Sequence, residues 1–273
     1  EDAKRRDFTM NALYADRDGT IIDPLGGLDD TTRQRIRFIG DPDDRIREDY
    51  LRILRFFRFY GWYGKSKDGI DADGLAACAA LADGLDLVSN ERVGSELLKL
   101  LSAPDPCPAM ASMDASGVLL RILPGASAKS LPILHELETD LTPDPLRRLA
   151  ILGGSNAKDN LRLSKAQAET LQNLTTHAQN TQSSLEMGYA LGATRGIDAW
   201  IIRCAWLEHM PNQPDLDMIE RGACATLPIQ AGDITHWYSG RDLGNALKRA
   251  QVAWLDSGAL MTKDQLIKML TPG

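Results

Sequence analysis

Cysteine and histidine are scarce in this 273-residue chain, with four of each. Cys78, Cys107, Cys204 and Cys224 lie far apart and form no Cys-x-x-Cys pair. That spacing argues against a zinc knuckle or a disulfide framework and fits isolated reduced thiols in a cytoplasmic protein. His135, His177, His209 and His236 are equally scattered, and none is followed by Asp. A metal-dependent phosphohydrolase of the His-Asp type is thereby disfavoured. Long apolar runs are also lacking: none approaches the roughly 20 residues that a spanning helix needs, so no membrane partner is expected. The N-terminus has no basic-then-apolar layout of a signal peptide, and it opens on charged residues without an initiator Met. The chain is expected to begin inside a longer protein.

An excess of positive charge is missing as well. Lys and Arg number 31 against 38 Asp and Glu, for a formal net charge of −7. Phosphate affinity comes from clustered Lys and Arg, so a sequence-blind polyanion binder is not expected. The arginines, however, crowd into the first sixty-odd residues, and any polyanion site is a local patch on an acidic body. Charged residues at 25% and hydrophobic ones at 43% otherwise describe an ordinary globular protein.

Met10 to Ala15 and Thr20 to Asp23 read as short strands around a hairpin-type turn, Asp16-Arg17-Asp18-Gly19. Asp23-Pro24-Leu25-Gly26-Gly27 reads as a loop, Leu28 to Gln34 as a helical turn, and Arg35 to Ile39 as another strand. After Asp41 the pattern is helical. Asp43 or Asp44 can cap a helix that runs unbroken to about Trp62. Further helices are expected at 71–83, 90–102, 106–117, 129–139, 144–153, 164–179, 183–191, 195–208, 215–224, 240–257 and 263–270, punctuated by Pro and Gly. A mixed start followed by many helices makes the fold mainly α, the last piece of an α/β domain joined to an all-helical array.

On the helix at 44–62, ~100° per residue places Ile46, Tyr50, Ile53, Leu54 and Phe57 on one face. Arg45, Glu48, Asp49 and Arg52 fall opposite, with Arg55 beside them and Arg58 at the edge. Glu48 and Arg52 are i,i+4 partners, so the carboxylate can orient the guanidinium. Every cation in this set is Arg, which suits planar recognition more than general solubility. A fixed carboxylate and guanidinium can offer acceptor and donor to a base edge, and Arg5-Arg6-Asp7 supplies a second such group near the N-terminus.

Together with Phe8-Thr9-Met10-Asn11-Ala12-Leu13, that second group closely resembles the Arg-Arg-Asp-Phe-Thr-x-Asn-Ala-Leu motif of the class II tRNA nucleotidyltransferase and bacterial poly(A) polymerase family. Asp23-Pro24-Leu25-Gly26-Gly27 resembles the family's Asp-Pro-x-Gly-Gly loop. Glu48-Asp49-Tyr50-Leu51-Arg52 resembles its Glu-Asp-x-x-Arg motif, and Glu91-Arg92-Val93-Gly94-Ser95-Glu96-Leu97 a later Glu-Arg helix. The likeness covers residues 1–100 in the family's order and is only general beyond residue 120.

The resemblance implies a remnant of the nucleotidyltransferase head over 1–40, a helical neck over 41–105, a helical body over 106–192 and an RNA-binding tail over 193–273. It implies that Arg6 contacts the nucleotide's phosphates or sugar, and that Asp7 reads the ribose hydroxyl. Asp49 and Arg52 would pair with the base edge of CTP or ATP, with Glu48 steering Arg52. Arg55 and Arg58 would line the triphosphate side. The Asp-Pro-Leu-Gly-Gly loop would be the flexible element that lets the pocket switch from C to A, while Glu91, Arg92 and Glu96 are read as structural. The family's Asp-x-Asp pair, which holds two Mg2+ ions, has no counterpart here. Asp16 and Asp18 are explained by the turn they sit in. This chain alone is therefore expected to be inactive, although its parent is an enzyme.

In the tail, Trp237-Tyr238 ahead of Gly240-Arg241-Asp242-Leu243 reads as a candidate RNA surface, with Lys248, Arg249, Lys263 and Lys268 as phosphate contacts. Trp200 and Trp206 read as core. The function implied is template-independent addition of CCA, or part of it, to the 3′ end of tRNA. A poly(A) polymerase using ATP alone, or a non-catalytic RNA-binding module, would carry the same motifs.

Overall fold

The computed structural model describes residues 2–65 and 69–272. It divides into two compact units, residues 1–172 with Ala205–Glu208, and Asn173–Cys204 with His209–Gly273. No helix among the described residues is long and apolar enough to cross a membrane. All four cysteines are free thiols.

The first unit opens with a short helix α1 (Asp2–Arg5), and the only sheet among the described residues is a two-stranded ribbon of β1 (Tyr14–Ala15) and β2 (Ile21–Ile22). The strands pair antiparallel, Tyr14 with Ile22 and Ala15 with Ile21. Their turn is closed by the Asp16 amide donating to the Thr20 carbonyl at 2.9 Å and the Thr20 amide donating to Asp18 Oδ1 at 3.0 Å. The expected strand from Met10 is shorter than its apolar pattern suggested. A 3₁₀ turn, Thr9–Asn11, occupies its first half because Asn11 Oδ1 accepts the Phe8 amide at 3.2 Å. The stretch 35–39 makes one isolated bridge, Phe8 with Phe38, rather than a strand.

Helix α2 (Gly27–Thr32) follows the Asp23-Pro24 loop. Asp23 fastens this loop by accepting the Gly27 amide at 2.8 Å and the Leu28 amide at 3.0 Å. A side chain at Gly27 would collide with the Thr9 carbonyl, so the close approach of these two backbones requires glycine.

The expected unbroken helix from 44 to 62 is two helices, α3 (Pro42–Glu48) and α4 (Arg52–Tyr63). Asp41 caps the first, accepting the Asp44 amide at 3.1 Å. Asp49 stops it with an extended backbone, φ −156° and ψ 105°, and its Oδ1 accepts the Leu51 amide at 3.1 Å. The side chain thus offers the backbone a local alternative to helical pairing, which ends one helix and seeds the next. The buried stripe still holds across the break: Ile46, Ile53, Leu54 and Phe57 are enclosed, joined by Phe56. Phe56 stacks on Phe38 at 5.3 Å between ring centroids, and Phe8 lies 5.0 Å from Phe38 and 4.8 Å from Phe59.

Helices α5 (Ala72–Ala80), α6 (Asn90–Leu101), α7 (Cys107–Ala115), α8 (Val118–Ile122), α9 (Leu131–Leu137), α10 (Pro145–Leu152) and α11 (Ala157–Asn160) complete this unit's body. Helix α4 packs against α6 and α7. Sequence periodicity missed α8 and α11 because helices this short carry barely one turn of pattern. A buried charge cluster sits where α10 meets the end of α6. Glu138 accepts Arg147 Nε at 2.8 Å and Arg148 Nε at 2.5 Å, while Arg148 Nη1 donates to the Leu101 and Ala103 carbonyls at 2.7 and 2.5 Å. Arg148, 1% exposed, caps carbonyls left over at the helix end and thereby binds two helices together.

Helix α12 (Lys165–Gln179) is followed by α13 (Ser184–Leu207), which is kinked at Gly192, matching the two helices expected at 183–191 and 195–208. The second unit also holds α14 (Gln213–Cys224), α15 (Gly240–Asp256) and α16 (Lys263–Leu270). A Cβ at Gly188 would strike the Ile219 carbonyl, and one at Gly222 would strike the Leu185 carbonyl. This reciprocal pair lets α13 and α14 touch backbone to backbone. Trp254 is buried with Ile229, Ile234, Ala250 and Leu266, and Tyr189 meets it edge-on at 5.6 Å. Trp237 packs partly on that core, and Lys263 is held by Asp233 at 2.6 Å, whereas Lys248 and Arg249 are exposed.

Removing the guanidinium from the buried cluster leaves Glu138 underpaired and the α6 carbonyls unsatisfied. Arg148→Ala is expected to cost about 3–5 kcal/mol of stability, read from urea unfolding monitored by circular dichroism.

Candidate nucleotide site

The first charged element is Asp7, placed by backbone rather than by its own helix. The Ile39 amide donates to the Asp7 carbonyl at 3.1 Å, and the neighbouring Thr9 amide donates to the Arg37 carbonyl at 3.0 Å. Phe8 beside it is wholly buried, so the carboxylate of Asp7 points one way only. That way leads to helix α4. Asp7 Oδ1 accepts Arg52 Nε at 2.9 Å, and Oδ2 accepts Arg55 Nε at 2.5 Å together with a second bond from the same guanidinium. Asp7 and Arg52 side chains are each 11% exposed. Charge-assisted bonds at that degree of enclosure are strong and directional.

Arg52 is braced from its other side. Its Nη1 donates to Glu48 Oε2 at 2.5 Å and to the Arg45 carbonyl at 2.7 Å. Glu48 also takes a guanidinium bond from Arg45, whose Nη2 donates to the Arg6 carbonyl at 2.6 Å. Arg45 therefore ties the Arg-Arg-Asp segment to α3. Sequence reasoning placed it on the polar face but gave it no part in the site; its backbone partner lies 39 residues away and left no local signal. The Arg52 guanidinium chiefly, helped by Arg45, holds the Glu48 carboxyl below the usual carboxylate range.

Asp49 faces elsewhere. Because the helix breaks there, its Oδ2 accepts Arg92 Nη2 at 2.7 Å, from α6. Burial pushes its pKa upward, but Arg92 and the Leu51 amide outweigh it and the carboxyl stays below its ordinary range. Arg58 forms a separate pair: its Nε donates at 2.5 Å to Glu96, which is 5% exposed, and its guanidinium sits 4.6 Å from the Phe59 ring centre. Burial opposes ionisation of Glu96, yet Arg58 and Lys99 win and keep it a carboxylate below the usual range. The reading of Arg92 and Glu96 as partners in interhelical ion pairs agrees with this geometry, and those pairs fall on Asp49 and Arg58.

Arg6 stands at the rim. It donates to Asp2 at 3.1 Å, and Asp2 in turn accepts Arg5 Nε at 2.6 Å and the Tyr14 hydroxyl at 2.7 Å. Asp2, Arg5, Arg6, Asp7, Asn11 and Arg55 line a cleft of about 340 Å³. Its floor is the Asp7–Arg55 pair and its lip is the two half-exposed or exposed guanidiniums of Arg5 and Arg6. A carboxylate accepts about four hydrogen bonds, and three of those on Asp7 are taken, so one acceptor direction is left for a ligand hydroxyl. The arrangement suits an anionic, hydroxyl-bearing small molecule.

Residues 1–37 match the family described as "Poly A polymerase head domain", and residues 69–129 match "Probable RNA and SrmB- binding site of polymerase A". The mitochondrial CCA tRNA nucleotidyltransferase 1 of Homo sapiens is 29% identical over 99% of this chain and 66% of its own length. A CCA-adding enzyme of Geobacillus thermodenitrificans is 43% identical over 47% of this chain and 31% of its own length. This chain thus spans just under two thirds of the human relative. The structure of a Bacillus stearothermophilus CCA-adding enzyme in complex with CTP superposes with a TM-score of 0.79 and 26% identity, over 99% of this chain and 73% of that one. A Thermotoga maritima CCA-adding enzyme complexed with tRNA shares the fold, at a TM-score of 0.65 and 17% identity.

The lowered pKa values of these carboxyls set a direction for pH dependence. A carboxyl held below its unfolded value adds stability above the ordinary carboxylate range, near pH 4, and loses it as pH falls through the lower folded value. Glu96→Gln is expected to cost about 2 kcal/mol at neutral pH, less than a fully buried pair because Arg58 is partly exposed. The gap from the parent should shrink below about pH 4 and close once the carboxyl is protonated in the folded state. Urea unfolding across the acid range up to neutral pH checks it; a pH-independent gap would assign the loss to packing instead.

Proposed function

We propose that this chain, which matches the class II CCA-adding enzyme and bacterial poly(A) polymerase family, is the nucleotide-selecting part of an RNA nucleotidyltransferase that adds CCA, or part of it, to tRNA 3′ ends. The reaction joins the tRNA 3′ hydroxyl oxygen to the α-phosphorus of CTP or ATP and releases pyrophosphate. Within it, Asp7 accepts the ribose hydroxyl and Arg52 meets the base edge, which Asp49 joins only by exchanging its Arg92 partner for the base. Glu48 holds Arg52 in register, Arg6 meets phosphate or sugar at the rim, and Arg55 carries the triphosphate side. Arg58 supports that side through Phe59 and Glu96. The carrying observation is the doubly clamped Asp7, which lines one cleft together with the guanidiniums of Arg5, Arg6 and Arg55.

The same geometry argues against a metal at this cluster. Mg2+ needs oxygen ligands that are open to it and to water. Asp7 is engaged by Arg52 and Arg55, Glu48 by Arg45 and Arg52, and Asp49 by Arg92. Asp16 and Asp18 are spent on the hairpin turn. The described residues of the cluster do not fit the Mg2+ pair that the family's chemistry uses. Residues 1–40 are proposed as head, 41–105 as neck, 106–192 as body and 193–273 as tRNA-holding tail. The four free thiols suit a reducing compartment such as the cytoplasm.

Binding of each ribonucleoside triphosphate, measured by calorimetry, tests the selecting role. The parent chain should prefer CTP and ATP over UTP and GTP. Arg52→Ala should lose about 1–3 kcal/mol of that preference, the worth of one bidentate base contact. An unchanged ranking in the variant would overturn the assignment. Asp7→Ala should narrow the gap between CTP and its 2′-deoxy analogue, and an undiminished gap would remove Asp7 from ribose reading.

A further inference from the structure

In the first unit, the loop 103–106 and helices α7 and α9 bring together a donor set that the proposed nucleotide site does not use. Asp105, Cys107 and His135 each present one ligand atom, and these atoms all lie within 4.8 Å of one another. Asp105 Oδ1 is 3.7 Å from His135 Nε2. A tetrahedral ion with bonds of about 2.0–2.3 Å spaces its ligands roughly 3.3–3.8 Å apart, so closing this set needs shifts of about 1 Å.

We propose that Asp105, Cys107 and His135 form a binding site for a zinc-class divalent transition-metal ion, with water as the fourth ligand. The donor chemistry selects the metal. One thiolate, one imidazole and one carboxylate suit a borderline ion such as Zn²⁺ or Co²⁺, whereas Mg²⁺ and Ca²⁺ demand oxygen shells.

The second layer supports this independently. His135 Nδ1 is enclosed and has no hydrogen-bond partner among the described residues, but Glu138 Oε1 lies 3.7 Å from it. With the metal on Nε2, the proton sits on Nδ1 and faces that carboxylate, the arrangement that orients metal-bound histidines. Glu138 is itself locked by Arg147 and Arg148, so the orienting group cannot swing away. The Asp105 carboxylate is held in place before any ion arrives, because its Oδ1 accepts the Cys107 amide at 2.9 Å and so fixes carboxylate and thiol in one turn. Asp105 is exposed while Cys107 and His135 are half-buried, which leaves an entry path from solvent. Binding converts the Cys107 thiol to thiolate and releases one proton to solvent, and the two anionic ligands then neutralise the ion. The site bridges the start of α7 to α9 directly above the buried Glu138–Arg147–Arg148 cluster, so occupancy would stiffen the helical body.

Titration of the full chain with Co²⁺ under reducing conditions reads the site directly. One equivalent should give visible ligand-field bands of a tetrahedral centre and a near-ultraviolet thiolate-to-cobalt band, and Zn²⁺ should displace both while Mg²⁺ should not. At a hundredfold excess over Kd, Zn²⁺ should raise the melting temperature by roughly 5 °C or more. Cys107→Ser should abolish the thiolate band, His135→Asn should weaken binding at least about tenfold, and Cys224→Ser should change neither. Circular dichroism and the metal-free melting temperature check that each variant folds. Absence of a thiolate band in the parent, or its persistence in Cys107→Ser, overturns the proposal. So does Zn²⁺ stabilisation that survives in both ligand variants.

Discussion

The carboxylate of Asp7 is the point on which the proposed nucleotide site depends. It lies in the N-terminal segment, it is held there by backbone bonds to residues 37–39, and it grips Arg52 and Arg55 across more than forty residues of sequence. Without it two guanidiniums one turn apart on α4 would repel each other and turn to solvent. With it both forks converge on one carboxylate, and the Arg55 fork joins Asp7 in lining the cleft. The aromatic cluster of Phe8, Phe38, Phe56 and Phe59 beneath makes the grip rigid, because Phe8 is neighbour to Asp7 while Phe56 and Phe59 flank the same stretch of α4. Apolar packing sets the distance between the two segments, and the ion pair uses it.

The break between α3 and α4 is the second device, and it follows from one side chain. Asp49 bonding to the Leu51 amide ends a helix that hydrophobic periodicity would have continued. The consequence is chemical. On an unbroken helix Asp49 and Arg52 would project from one face, whereas here Asp49 reaches Arg92 on α6 and Arg52 reaches Asp7. Carboxylate and guanidinium are each neutralised by a partner of their own, so both are held at fixed positions instead of collapsing onto each other. Both groups are oriented by these pairs, and a base that engages Asp49 has to displace Arg92. The Asp23 loop is likewise tied, by bonds from the Gly27 and Leu28 amides, and a change in its shape has to break them.

Charge is distributed through the first unit in the same manner. Glu96 holds Arg58, Glu138 holds Arg147 and Arg148, and Asp30 holds Arg37. Each pair encloses at least one partner, and Arg58–Glu96 joins helices 38 residues apart. The net acidity of the chain therefore says little about its surface, because many of its arginines near the site are already matched. Arg5 and Arg6, both paired with Asp2, keep their guanidiniums exposed or half-exposed along the cleft. Acidic bulk and a basic lip coexist without contradiction.

Local chemistry written in the sequence determined most of the helices. Asp and Thr caps, prolines in first turns and 3.6-residue periodicity placed the runs from 71 to 270 close to where they lie, because such signals act within one or two turns. The linear motifs also named the residues proposed for the site, in their order. What the sequence could not express was which charge meets which. Arg45 with the Arg6 carbonyl, Arg92 with Asp49, Glu96 with Arg58 and Arg148 with the end of α6 are separated by 38 to 47 residues. At those separations partner choice is decided by how buried faces dock, and only the tertiary structure carries that information. The same holds for the Asp105–Cys107–His135 cluster, whose members looked like isolated scarce residues until two helices brought them together.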